Sequence, residues 1–172
     1  MIYLGFIQLF IATLFLISSL YKWINLGEFR TTMKELKIPK PLIPFGVFGV
    51  PLAELVVSVS FVIDRYTFPA ELLLFALLIS FGWSVYRARG KHLECNCFGS
   101  ISEEEFGKTT VGRIVVFFVL GILLFVNRNI QHLATFTLQM FLISIITSLG
   151  IFAAYLTAMV LYQFKQSAVK TN

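Results

Sequence analysis

The chain has 172 residues, of which 58% are hydrophobic and 13% charged, with a formal net charge of +5. A water-soluble domain of this size has too little interior to hide that much apolar surface, and about a quarter of its residues would be charged. Composition therefore excludes a soluble globular domain, and the charge, which flanks apolar runs, points to topology signals and lipid headgroups and not to nucleic acid.

The first apolar run covers about residues 2–20. No basic residue precedes it and no small-x-small cleavage site follows, so it is expected to stay as an anchor, not to be cleaved as a signal peptide. It ends in Tyr21, Lys22 and Trp23; the two aromatics suit an interfacial belt, and the lysine at the end of a span is explained by snorkelling. Residues 26–36 form a short interfacial helix, with Phe29, Met33 and Leu36 on one face at i, i+4, i+7 spacing. Pro39, Pro41 and Pro44 end it and lead into the second span, about residues 42–63.

That second span carries Glu54 near its middle and Pro51 one turn earlier. A carboxyl at that depth costs about 2.5–3.5 kcal/mol on insertion scales, so it faces the bundle interior, pairs, or stays protonated. Two readings follow. Glu54 is a proton relay or a polar cofactor contact, or it is a structural partner for Lys22, Asn25 or another helix. The third span covers about residues 68–86, with Glu71 close enough to the interface to be solvated. The fourth, about residues 110–127, has a short apolar run, and Arg113 is expected to snorkel from its start. The fifth, about residues 133–164, is long enough to tilt or to project into water. Gln8 and Gln139 are expected to hydrogen-bond between helices. The fold class is thus all-α: a single membrane domain over residues 1–172, a four-helix core with a fifth transmembrane helix added.

Basic residues cluster after the first span (Lys22, Arg30, Lys34, Lys37, Lys40), after the third (Arg87, Arg89, Lys91, Lys108, Arg113) and in the tail (Lys165, Lys170). The other two turns offer Arg65 and Arg128. With five spans this bias places the N-terminus outside and the basic segments on the cytoplasmic face of a bacterial inner membrane.

The loop at about residues 88–109 holds the chain's two cysteines, Cys95 and Cys97, one residue apart. Two thiols at that spacing close a disulfide only where the backbone turns, and such a ring is strained and easily reduced. Asn96 and Gly99 tolerate turns. Lys91 and His92 would lower a thiol pKa and Glu94 would oppose them. Three readings stay open: a redox pair, two idle thiols, or a metal site. The last is weakened because Cys95, Cys97 and His92 supply three ligands where structural zinc takes four.

The stretch Arg89-Gly90-Lys91-His92-Leu93-Glu94-Cys95-Asn96-Cys97-Phe98-Gly99 resembles the Cys-x-Cys-Phe-Gly signature of the MauE membrane proteins of methylamine utilisation, within a broader DoxX-like group. Lys22 at the end of the first span and Pro51-Leu52-Ala53-Glu54 are similar to that family's lysine and Pro-x-x-Glu. The resemblance covers about residues 5–126 and leaves the fifth span as an addition. It implies a thiol–disulfide redox protein in which Cys95 and Cys97 exchange electrons with a thioredoxin-like partner or an exported protein. Phe98, Gly99, Pro51 and Lys22 support the motif, a quinone is a candidate second partner, and Glu54 would manage its protons. The implied work is extracytoplasmic, whereas the charge bias places the cysteine loop inside. Either the loop is reached from the outer side, or the protein serves cytoplasmic thiols, or electrons enter from the inner face and leave by way of Glu54 or a quinone. The alternative function is a non-enzymatic membrane subunit or small transporter with Glu54 as its ion or substrate site.

Overall fold

The computed structural model describes residues 2–64, 66–88, 108–127 and 137–170. They form six helices: α1 Ile2–Ile24, α2 Leu26–Glu35, α3 Leu42–Ile63, α4 Thr67–Ala88, α5 Lys108–Val126 and α6 Leu138–Lys170. No strand occurs among the described residues. Four stretches are long and apolar enough to cross a bilayer: Tyr3–Ile24, Leu42–Ile63, Thr67–Arg87 and Leu138–Tyr155. Val111–Val126 is a shorter apolar helix. At 1.5 Å per residue the 19 residues of α5 extend about 28 Å, close to the hydrocarbon thickness, and the 33 of α6 about 50 Å, well beyond it. The chain is an all-helical, multi-pass membrane protein.

α1 stands at the centre and packs against α3, α6, α5 and α2, while α4 bridges α3 and α5. The core gathers Leu4, Ile11 and Phe15 of α1, Val57 and Phe61 of α3, and Leu74 and Leu78 of α4. Phe15 meets Phe117 of α5 edge to face at 6.2 Å. Phe75 meets Phe118 at 5.2 Å and Phe68 meets Phe125 at 6.3 Å, a pairing in which one number rises as the other falls, so α4 and α5 are antiparallel. A Cβ on Gly121 would lie 3.2 Å from the Phe75 ring, so the bare backbone there lets α4 and α5 approach. α6 meets α1 through small residues, Ser144 and Ser148, buried one turn apart.

The short helix α2 lies against the start of α3. Met33 packs with Ile43 and Val47, flanked by Phe29, and Leu36 is buried beside them. Gly46 leaves room for the Met33 methyl, which a Cβ would meet at 2.7 Å. The end of α2 is a Schellman motif: Ile38 N–H bonds the Met33 carbonyl, Lys37 N–H bonds the Lys34 carbonyl, and Lys37 adopts φ 54°. Ile38 packs back on Met33, the apolar contact that accompanies this turn. Arg87, in the last turn of α4, donates from Nε to the Leu36 carbonyl at 3.0 Å and stacks on Trp83. The α4 end and the α2 end are thereby tied together.

Two sequence expectations are corrected here. Glu71 is not solvated: it is 2% exposed, on the inward face of α4 that also buries Ala70 and Leu74. Gln139 is exposed in the first turn of α6 and makes no interhelical hydrogen bond among the described residues. Gln8 does bond between helices, donating to the Phe61 carbonyl and to Asp64 Oδ1, both at 2.8 Å. Arg113 turns to α6, where its guanidinium bonds the Tyr155 hydroxyl and lies 4.7 Å from the ring centroid.

Candidate functional site

Six of the buried polar residues, Gln8, Ser18, Ser19 and Lys22 of α1 with Glu54 and Ser58 of α3, lie along the seam between these two helices. Gln8 reaches the end of α3, Ser58 Oγ donates to the Ala12 carbonyl at 2.8 Å, and Ser19 Oγ donates to the Pro51 carbonyl at 2.8 Å. At the end where α1 finishes and α3 begins, the seam closes on a charged cluster of Lys22, Ser18 and Glu54.

Helix geometry explains how Lys22 enters the cluster. Side chains tilt toward the helix N-terminus and cover the turn before their own. Lys22 is in the last turn of α1, so this tilt turns its stem back into the bundle, over Ser18 four residues earlier. Nζ donates to Ser18 Oγ at 2.6 Å and to Glu54 Oε1 at 2.6 Å. The snorkelling expected from sequence is therefore corrected, since the side chain is 1% exposed and points inward. The Phe81 and Phe29 rings flank the ammonium, their centroids at 5.4 and 5.8 Å. These faces favour a cation where water is absent.

Glu54, also 1% exposed, is the partner. Ser18 Oγ donates to the same Oε1 at 3.2 Å, so Lys22, Ser18 and one carboxylate oxygen form a closed triangle. Oε2 is buried without a hydrogen-bond partner among the described residues. A buried acceptor left unmet costs about 1–3 kcal/mol. The carboxylate thus has one oxygen committed to structure and one open to a donor.

Pro51 sets the local path of α3. It lacks the N–H that would bond the Val47 carbonyl, and its own carbonyl takes the Ser19 hydroxyl. One turn later, Glu54 emerges on the face toward α1. Of the residues singled out from sequence, the fold brings Lys22, Pro51 and Glu54 together. Cys95, Cys97, Phe98 and Gly99 lie outside the described residues. The two helices that flank them, α4 ending at Ala88 and α5 beginning at Lys108, run antiparallel, and Arg87 ties the α4 end to α2. The last turn of α4, before residue 89, is thus tied to the end of α2.

Sequence reasoning passed over Ser18, Ser19 and Ser58. A serine four residues before a span-end lysine was the available signal, because i, i+4 neighbours share a helix face. Serine in an apolar helix carries little signal otherwise, since its hydroxyl can bond its own backbone, as Ser148 does.

The model of the family described as methylamine utilisation protein MauE matches residues 1–127, which takes in α1 through α5 and leaves α6 outside. Comparison with curated proteins and with solved structures yields no match. The matched region contains the buried Lys22–Glu54 pair, the Pro51 turn and the Cys-x-Cys segment, and the chain belongs to the MauE family of membrane proteins.

Proposed function

We propose that the protein is a membrane thiol–disulfide redox protein whose working pair is Cys95 and Cys97. The observation that carries this reading is the isolation of the two cysteines: they are the chain's only ones, one residue apart, in the segment between α4 and α5. A thiolate of a thioredoxin-like or exported partner attacks one sulfur of the Cys95–Cys97 disulfide. A mixed disulfide forms and the other sulfur leaves as thiolate. The partner's second thiolate then breaks the mixed disulfide, so the partner is oxidised and the pair gains two electrons and, after protonation, two protons. The reverse sequence reduces a partner disulfide. The cycle returns by passing two electrons and two protons to a second carrier, for which a lipid-soluble quinone has the right stoichiometry. Glu54, with Oε2 open to a donor, is the group suited to proton exchange on that side. By the charge bias of the loops, the cysteine segment lies on the cytoplasmic face of a bacterial inner membrane.

The test replaces Cys95 and Cys97 by serine, singly and together, and follows the disulfide state of the partner in cells. Loss of the partner's oxidation or reduction is expected in each variant, and an unchanged partner in both single variants sinks the proposal. Labelling with a membrane-impermeant thiol reagent, before and after reduction, reports the face and the redox state of the pair.

The open oxygen of Glu54 favours one other reading, a non-enzymatic subunit or small transporter that binds an ion or substrate there. It predicts that Glu54→Gln abolishes function while the double Cys→Ser protein keeps it.

A further inference from the structure

The outward side of α2 is divided by charge. Its inner face is Phe29, Thr32, Met33 and Leu36. At 100° per residue, Arg30 and Lys34 fall along one edge of the outer side, and Glu28 and Glu35 along the other. The basic edge continues past the Schellman turn through Lys37 to Lys40, and all four basic residues are exposed. Among the described residues none of the four enters an ion pair. Two residues after Lys40, α3 begins its apolar span. The basic edge therefore sits at the level where hydrocarbon gives way to headgroups.

We propose that the ridge Arg30–Lys34–Lys37, with Lys40 beyond it, is a contact surface for the phosphate headgroups of anionic phospholipids. The fit is one of charge and depth. A phospholipid whose acyl chains lie beside the start of α3 presents its phosphodiester at the height of this ridge, and a net negative headgroup adds attraction that a zwitterionic one lacks. Pinning α2 by the Met33 cluster and by Arg87 fixes the backbone of the ridge without lipid, so binding need order only its side chains. The assignment is independent of the cysteine chemistry.

The chain supplies its own reporter. Its two tryptophans, Trp23 and Trp83, are both at this end of the bundle and are 38% and 48% exposed. The full-length protein is reconstituted in phosphatidylcholine vesicles, and tryptophan quenching is measured with brominated phosphatidylglycerol against brominated phosphatidylcholine. Preferential quenching by the anionic lipid is expected, weakening as salt rises. In R30Q/K34Q/K37Q the preference falls by about fivefold for each charge removed, while quenching by brominated phosphatidylcholine is unchanged. Glutamine keeps a helix propensity close to that of lysine, so the variant retains α2. Inorganic phosphate, compared with chloride at equal ionic strength, leaves the quenching unchanged. Equal quenching by the two lipids, an undiminished preference in the triple variant, or displacement by inorganic phosphate would each overturn the assignment. The first outcome would leave the ridge to an acidic protein partner, the last to a small anion.

Discussion

Replacing Lys22 by methionine removes the cation from a carboxylate that is 1% exposed. The Coulomb attraction over the 2.6 Å from Nζ to Oε1 is about 6 kcal/mol at an effective dielectric of 20. Against it stands a desolvation penalty of several kcal/mol for each ion, so the pair as a whole contributes little net stability. Breaking the pair is different: the lysine goes and the buried charge stays, at a cost of about 3–5 kcal/mol. Ser18 then offers Glu54 its one remaining donor, at 3.2 Å. Removing both charges, as Lys22→Met with Glu54→Leu, takes the desolvation penalty away with the attraction. The double variant should lie within about 2 kcal/mol of the native protein. The assay is a double-mutant cycle on reversible unfolding in mixed micelles, followed by helical circular dichroism. The expected result is a coupling of several kcal/mol, with the double variant more stable than either single one. Additive losses would refute this account, as would a Lys22→Met change below about 0.5 kcal/mol, which is the signature of an exposed residue.

Lys37 holds the left-handed position of the Schellman turn without the freedom of glycine, so Lys37→Gly should raise stability by about 1 kcal/mol, read from the same unfolding curves. At Gly121, where Phe75 lies 3.2 Å from a built Cβ, a change to valine should cost about 1–3 kcal/mol, whereas Gly112→Ala, with nothing within 4 Å, should fall within about 0.5 kcal/mol of native. Equal effects at the two glycines would contradict the packing described between α4 and α5. Arg87→Gln removes a charged, exposed donor from the end of α2 and should cost about 0.5–1.5 kcal/mol; hydrogen exchange should then speed up in Met33–Lys37 and not at the far end of α3.

The apolar spans and the amphipathic face of α2 were legible because both are local properties, carried by runs and by i, i+4, i+7 spacing. Lys22 and the Pro51-x-x-Glu54 turn also stood out, since a proline or a charge inside an apolar run is rare enough to notice. The pairing of Lys22 with Glu54 was named as one structural reading among several. Choosing among them required two helices 32 residues apart in sequence to be laid antiparallel. A lysine at a span end looks the same in sequence whether it snorkels outward or folds inward. Its direction is set by the tilt of side chains toward the helix start and by what stands across the groove, here Ser18, Glu54 and two phenylalanine rings.

The burial of Glu71 and the exposure of Gln139 were misjudged for a related reason. In water, the apolar face of a helix marks the core, but lipid tails are as apolar as leucine, so hydrophobicity cannot tell the buried side of a membrane helix from the lipid side. Val115, Val119 and Ile146 are apolar and exposed, while Gln8, Ser18, Ser19 and Glu54 are polar and buried. The sequence by itself determined that this chain crosses the membrane several times, that a short amphipathic helix follows the first crossing, and that its two thiols lie together between two helices. Only the tertiary structure decided that α1 is the central helix, that its polar side faces α3, and that Lys22 and Glu54 neutralise one another inside. Those outcomes depend on contacts between distant segments, which the bilayer leaves undirected by hydrophobicity and which packing and hydrogen bonding alone select.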